Sequence, residues 1–188
     1  MKKTAILTAA AILVSAGAAN AQVGTTSTSP NMPVTGSVPI LCAVGTVSGN
    51  GDFPLGTLID TATGKMRQNI TADPRTISGS WCNAPSTISI SATQLTAQNS
   101  TGTLPGGFSR TLNYTATASG FSALPATFVT GSTPNSTATR NVTGPLTAPI
   151  TVTVSAVTPV GDNPFLVADS SYRGTVTVTL AVQAISGT

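Results

Sequence analysis

The residues of this chain that could do chemistry are few, because it contains five aspartates but no histidine and no glutamate. Proton transfer near neutral pH needs a group that can hold and release a proton there. Asp52, Asp60, Asp73, Asp162 and Asp169 are the only carboxylates on side chains, and two of them brought together would make an acid/base pair. All five lie in or beside turn segments such as "SGNGD", "DTATG" and "PVGDNP", where aspartate commonly accepts hydrogen bonds from nearby backbone amides. Serine nucleophiles lack a base, no G-x-S-x-G elbow occurs, and "SGNGDFP" breaks G-x-G-x-x-G because Pro54 stands at its last position. The reading is of a protein that is not an enzyme and carries no cofactor or metal.

Cys42 and Cys82 are the only cysteines. A metal site would need further ligands, and there is neither histidine nor glutamate nor a C-x-x-C pair. In an oxidising compartment a disulfide is the expected state of such a pair, closing a loop worth ~4 kcal/mol in chain entropy. Trp81, next to Cys82, has two readings: an aromatic platform on which a sugar stacks, or packing beside the disulfide in a β-sandwich core. Asn69, Asn113 and Asn141 each begin an N-x-T sequon, a frequent by-product of a threonine-rich composition.

The elements that must position these residues are strands. In "RGTVTVTLAV" Val176, Val178, Leu180 and Val182 alternate with Thr175, Thr177, Thr179 and Ala181, the pattern of a strand with one apolar and one hydroxyl face. "STISISA" sets Ile88, Ile90 and Ala92 on one side, "ITVTVSAV" does so with Ile150, Val152, Val154 and Ala156, and "RTLNYTA" with Leu112 and Tyr114. Shorter strands are expected at "VPILCAVG" (38–45), "FPLGTLI" (53–59), "RTISGSW" (75–81) and "ATFVT" (126–130), with residues 131–145 a long polar surface loop. Ile88, Ile90, Val152, Val154, Val178 and Leu180 are expected to be buried, and Thr151, Thr153, Thr177 and Thr179 exposed. No helical periodicity follows the first twenty residues, so the fold class is all-β: an antiparallel, immunoglobulin-like β-sandwich of about seven strands.

The first residues read as an address. Lys2 and Lys3, an apolar run from Ala5 to Val14 and Ala19-Asn20-Ala21 make a signal peptide over 1–21, cleaved before Gln22. An uncleaved anchor is the alternative, but the run falls short of the ~20 residues that cross a bilayer. The expectation is an exported chain without membrane insertion, with an N-terminal extension over 22–36 and one domain over 37–188. Loss of Lys2 and Lys3 takes the formal charge of +3 down by two, and the remaining Lys65, Arg67, Arg75, Arg110, Arg140 and Arg173 are scattered. With few aromatics to stack bases, nucleic acid is excluded as a partner.

Together, the cysteine in a first strand ("VPILCAV"), the following "FPLGTL", a second cysteine in "SGSWCN" and a closing strand entered through Tyr172 ("YRGTVTVTL") resemble the chaperone-usher pilins of the spore coat protein U group. The resemblance runs from about Ser37 to Val182. It implies a sandwich lacking its last strand, whose groove is filled first by a periplasmic chaperone and then, at an outer-membrane usher, by the N-terminal extension of another pilin-like subunit. On that reading the acceptor strand carries Val176, Val178, Leu180 and Val182. The extension offers only Val23, Met32 and Val34, interrupted by Pro30 and Pro33, so the candidate donor row runs through Val34, Val38 and Ile40. The implied function is a structural subunit of a surface fibre, with a role in adhesion or biofilm. The rival is a self-complete secreted sandwich that binds a ligand such as carbohydrate as a monomer.

Overall fold

The computed structural model describes residues 31–161 and 163–183. The expected signal peptide, the first part of the extension, Asp162 and the residues beyond Gln183 lie outside the described residues. Asn31–Ser37 belong to one unit and Val38 onward to a second, which holds the strands. In Asn31–Ser37 there is no strand, and Met32 and Val34 are exposed.

The strands in chain order are β1 (Cys42–Ala43), β2 (Thr46–Val47), β3 (Arg75–Ser78), β4 (Trp81–Cys82) and β5 (Ser86–Ala92). They continue as β6 (Leu95–Ala97), β7 (Phe108–Ser109), β8 (Thr111–Ser119), β9 (Ala126–Val129) and β10 (Thr139–Val142). The last five are β11 (Leu146–Thr147), β12 (Ile150–Pro159), β13 (Phe165–Leu166), β14 (Tyr172–Arg173) and β15 (Val176–Val182). One sheet has the order β14-β6-β8-β12-β3-β2, with β9 also on β8. The other side of the core is formed by β10-β5-β15 and β1-β4-β11. Every ladder is antiparallel except the short β13–β7 pair. The expected all-β sandwich is the fold observed.

The pairs Val142↔Ser86 and Leu146↔Cys82 continue a single register, so β10 and β11 run along one flank of β4 and β5. On the opposite flank β15 ends with Val182 across from Ser86, and β1 begins with Cys42 across from Cys82. The third strand of this layer is thus assembled from the two ends of the domain. Between the layers, Ala116 and Ala118 of β8 lie across from Val154 and Val152 of β12 and are fully buried. Small side chains facing branched ones let the central pair pack closely. Phe121, Leu112, Ile88 and Ile150 complete the core with no exposed surface.

Several local expectations are corrected. "VPILCAVG" is not one strand: β1 lies in one layer and β2 in the other, and the crossing is at Gly45, where a Cβ would overlap the Ser78 carbonyl. Ala156 is exposed and Val157 buried in its place, because a bulge between Ser155 and Thr158, with Ala156 at φ 50°, shifts the period-2 pattern by one residue. Within the expected 131–145 loop, β10 pairs with β5 and buries Val142; an edge strand with one inward apolar side chain has too little alternation to stand out. "FPLGTLI" joins no sheet beyond the single bridge Ile59↔Met66.

Candidate functional site

A β-strand offers hydrogen-bonding groups on both edges, and β15 uses one of them. All seven of its residues pair with β5, from Val176↔Ala92 to Val182↔Ser86. No strand among the described residues pairs with its other edge. Its inward row is correspondingly incomplete. Ile88 and Ile90 on β5 are 0% and 2% exposed, whereas Val176, Val178 and Leu180 are only half-buried against the core and Val182 is 43% exposed. The expectation that Val178 and Leu180 are buried is therefore corrected, and the reason is positional: packing reaches an edge row from one flank only. Thr177 and Thr179 are exposed as expected. Thr151 and Thr153 are instead half-buried, shaded by Thr76 of β3 and by Ser119 and Thr117 of β8 on either side.

Around this edge lies further uncovered apolar surface. Val38, Ile40, Leu41 and Val44 are 85%, 45%, 49% and 43% exposed, and β1 follows the end of β15 along the same flank. Their backbone is held by Asn83, whose Oδ1 accepts from Leu41 N–H at 2.7 Å and whose Nδ2 donates to Pro39 O at 2.8 Å. Cys42 and Cys82 face each other across β1 and β4 and are disulfide-bonded, as expected. Of the candidate donor row, Val34 lies in the N-terminal unit, while Val38 and Ile40 begin the second unit and lie outside any strand.

Towards the start of β15 the gap becomes a cleft of about 620 Å³, with Tyr114, Val154 and Leu95 in its lining. Tyr172–Val176 line it as well, together with Gly51, Asp52, Phe53 and Leu55. Burial pushes the Tyr114 phenol up to about 12, and its O–H donates to Thr175 O at 3.2 Å, tying the cleft to the start of β15. Tyr172 O–H donates to Val167 O at 2.7 Å.

Two of the aspartates hold turns and loops together by accepting from backbone amides. Asp60 Oδ1 accepts from Ala62 and Thr63 N–H in its own turn. The Asp169 carboxylate accepts from the N–H groups of Ser171, Asn99 and Ser100 and from Asn99 Nδ2, at 2.7 to 2.9 Å. Those bonds, Ser171's first, hold its pKa down to about 2. A carboxyl depressed in the folded state stabilises the fold above its unfolded pKa, near 3.8, and the contribution is lost as pH falls through about 2. In Asp169→Asn, melting temperature should therefore show a shallower acid limb between about pH 4 and pH 2 than in the wild type. Identical acid limbs in the two proteins would remove Asp169 from that role.

Trp81 is half-buried and is not part of the core; Cys82, one residue on, points inward and alternation turns Trp81 outward between Ala43 and Thr147. The core reading of Trp81 is thus corrected. Asn113 is engaged by Gln94 Nε2 at 2.6 Å in a partly buried setting, and Asn69 and Asn141 are exposed. Among the described residues no three metal-ligating side chains come together. Comparison with known proteins returns no matching family model, no matching curated protein and no matching solved structure.

Proposed function

We propose that this protein is a non-enzymatic structural subunit that assembles by accepting a β-strand from another chain along the free edge of β15. The observation that carries the reading is the half-buried row Val176, Val178 and Leu180 on a strand paired on one edge only, next to exposed Ile40, Leu41 and Val44. An added strand would satisfy the edge N–H and C=O groups, and its alternate side chains would cover the row. Each side chain of this size is worth about 1.5 to 3 kcal/mol when buried fully. Left uncovered, the same edge invites non-specific pairing. The disulfide is compatible with an exported protein. In line with the pilin resemblance, the proposed occupants are a periplasmic chaperone and then a second copy of the chain delivered at an outer-membrane usher, giving a surface fibre that serves adhesion or biofilm.

The test is deletion of Gln22–Gly36 from the mature chain. The mature protein should run as a ladder on a gel without boiling, and the deleted protein as a single folded species. Equal ladders from both would remove strand donation by this segment. A lone monomer from the intact chain would favour the self-complete sandwich, for which the outward Trp81 offers a ligand platform.

A further inference from the structure

The segment between Gly51 and Ile59 is neither strand nor free loop. From Gly51 to Leu55 its residues alternate between half-buried and exposed, as in a strand, yet no ladder includes them. Phe53, Leu55 and Leu58 pack on the core without being buried fully. Hydrogen bonds hold its margins: Arg75 Nε donates to Asp52 O at 2.6 Å, Arg67 to Thr57 O at 2.9 Å, and Arg67 N–H to Leu58 O at 2.9 Å. Phe53-Pro54-Leu55 lies between Gly51 and Gly56, with φ of 76° and 68°. A Cβ at Gly56 would meet nothing within 4 Å, so the glycine there serves the backbone conformation rather than close packing.

This segment also divides two spaces. The 620 Å³ cleft at the start of β15 and a neighbouring cleft of about 910 Å³ both have Phe53, Leu55, Leu95, Tyr172 and Arg173 in their walls. Phe53 and Leu55 are thus the strap's part of a wall that the two clefts share beside β14 and the start of β15.

Resting on the strand-addition reading, we propose that Asp52–Leu55 is a displaceable strap that lines the cleft at the Val176 end of the acceptor edge in the unassembled chain and, releasing the Asp52 carbonyl from Arg75, swings out about Gly51 and Gly56 when a strand adds. The strap has the apolar, alternating character of the strand it stands in for, but makes no ladder bonds, so an incoming strand that makes them displaces it. Only chains with the strap open can accept a full-length strand, so the assembly rate scales with the open fraction.

Two measurements on the full mature chain decide the matter. In hydroxyl-radical footprinting, the Phe53 and Leu55 side chains should gain reactivity when a peptide copying residues 22–40 is added to the mature chain; unchanged reactivity at saturating peptide would overturn the strap. In time-resolved unboiled gels, Phe53→Ala should form the ladder roughly tenfold faster than wild type, the equivalent of about 1.4 kcal/mol. Should that variant fail to fold, Gly56→Ala places a Cβ on a residue that the closed strap holds at φ 68° and should also accelerate assembly. Unchanged or slower ladders in the folded variants would overturn the strap while leaving strand donation intact. Reactivity that rises with the peptide while no variant forms a ladder would keep the strap and overturn strand donation between copies instead.

Discussion

Val178→Asp is expected to abolish assembly while the isolated domain still folds, and Thr177→Asp should leave both nearly unchanged. The two residues are neighbours on β15 but face opposite ways: Val178 is half-buried against the core and Thr177 is exposed. In the unassembled chain the carboxylate at 178 would reach water across the uncovered flank, so the loss should be about 1 to 2 kcal/mol, part of what full burial of valine is worth. Once a strand is added the same carboxylate would be enclosed without a partner, which costs several kcal/mol more. About 4 kcal/mol is roughly a thousandfold in affinity. Chemical denaturation of the monomer and ladder formation on unboiled gels measure the two halves of this expectation separately. Equal effects of the two substitutions would mean that the inward row does not face a shared groove.

The other large effect concerns the disulfide. Cys42 and Cys82 are 40 residues apart, and the bond joins β1 to β4 where the third strand of the layer passes from the chain's end to its beginning. Reduction or Cys82→Ser should lower unfolding free energy by about 2 to 4 kcal/mol, the usual range for such a loop. β1 has only two residues in its ladder and is otherwise held through Asn83, so without the bond Pro39–Ala43 should loosen before β5 and β15 do. Hydrogen exchange on oxidised and reduced protein would show this as early loss of protection at Asn83 N–H, which donates to Leu41 O. Uniform loss across the domain would show instead that the bond acts on global stability alone.

Much of the fold was legible because these strands alternate so strictly. β5 matches "STISISA" residue for residue, and β8 and β12 grow from "RTLNYTA" and "ITVTVSAV" by a few residues. Two cysteines without other ligands were enough to anticipate the disulfide. The outward turn of Trp81 was also available from period 2, since a residue beside an inward cysteine in a strand must face the other way.

What the chain alone determined is the class of structure and the face on which each long strand buries its side chains, because both follow from local backbone geometry and apolar spacing. What the tertiary structure decided is everything that depends on which segments become neighbours. The bulge that exposes Ala156, the passage of the first segment between layers at Gly45 and the pairing of polar β10 with β5 each arise from contacts between residues distant in sequence. The same holds for the site. The alternation from Val176 to Val182 is equally compatible with a central strand and an edge strand. Only the arrangement of β5, β1 and the Phe53–Leu55 segment around it leaves one flank unpaired and its apolar row half-covered, because a strand's burial is set by its neighbours rather than by its own residues.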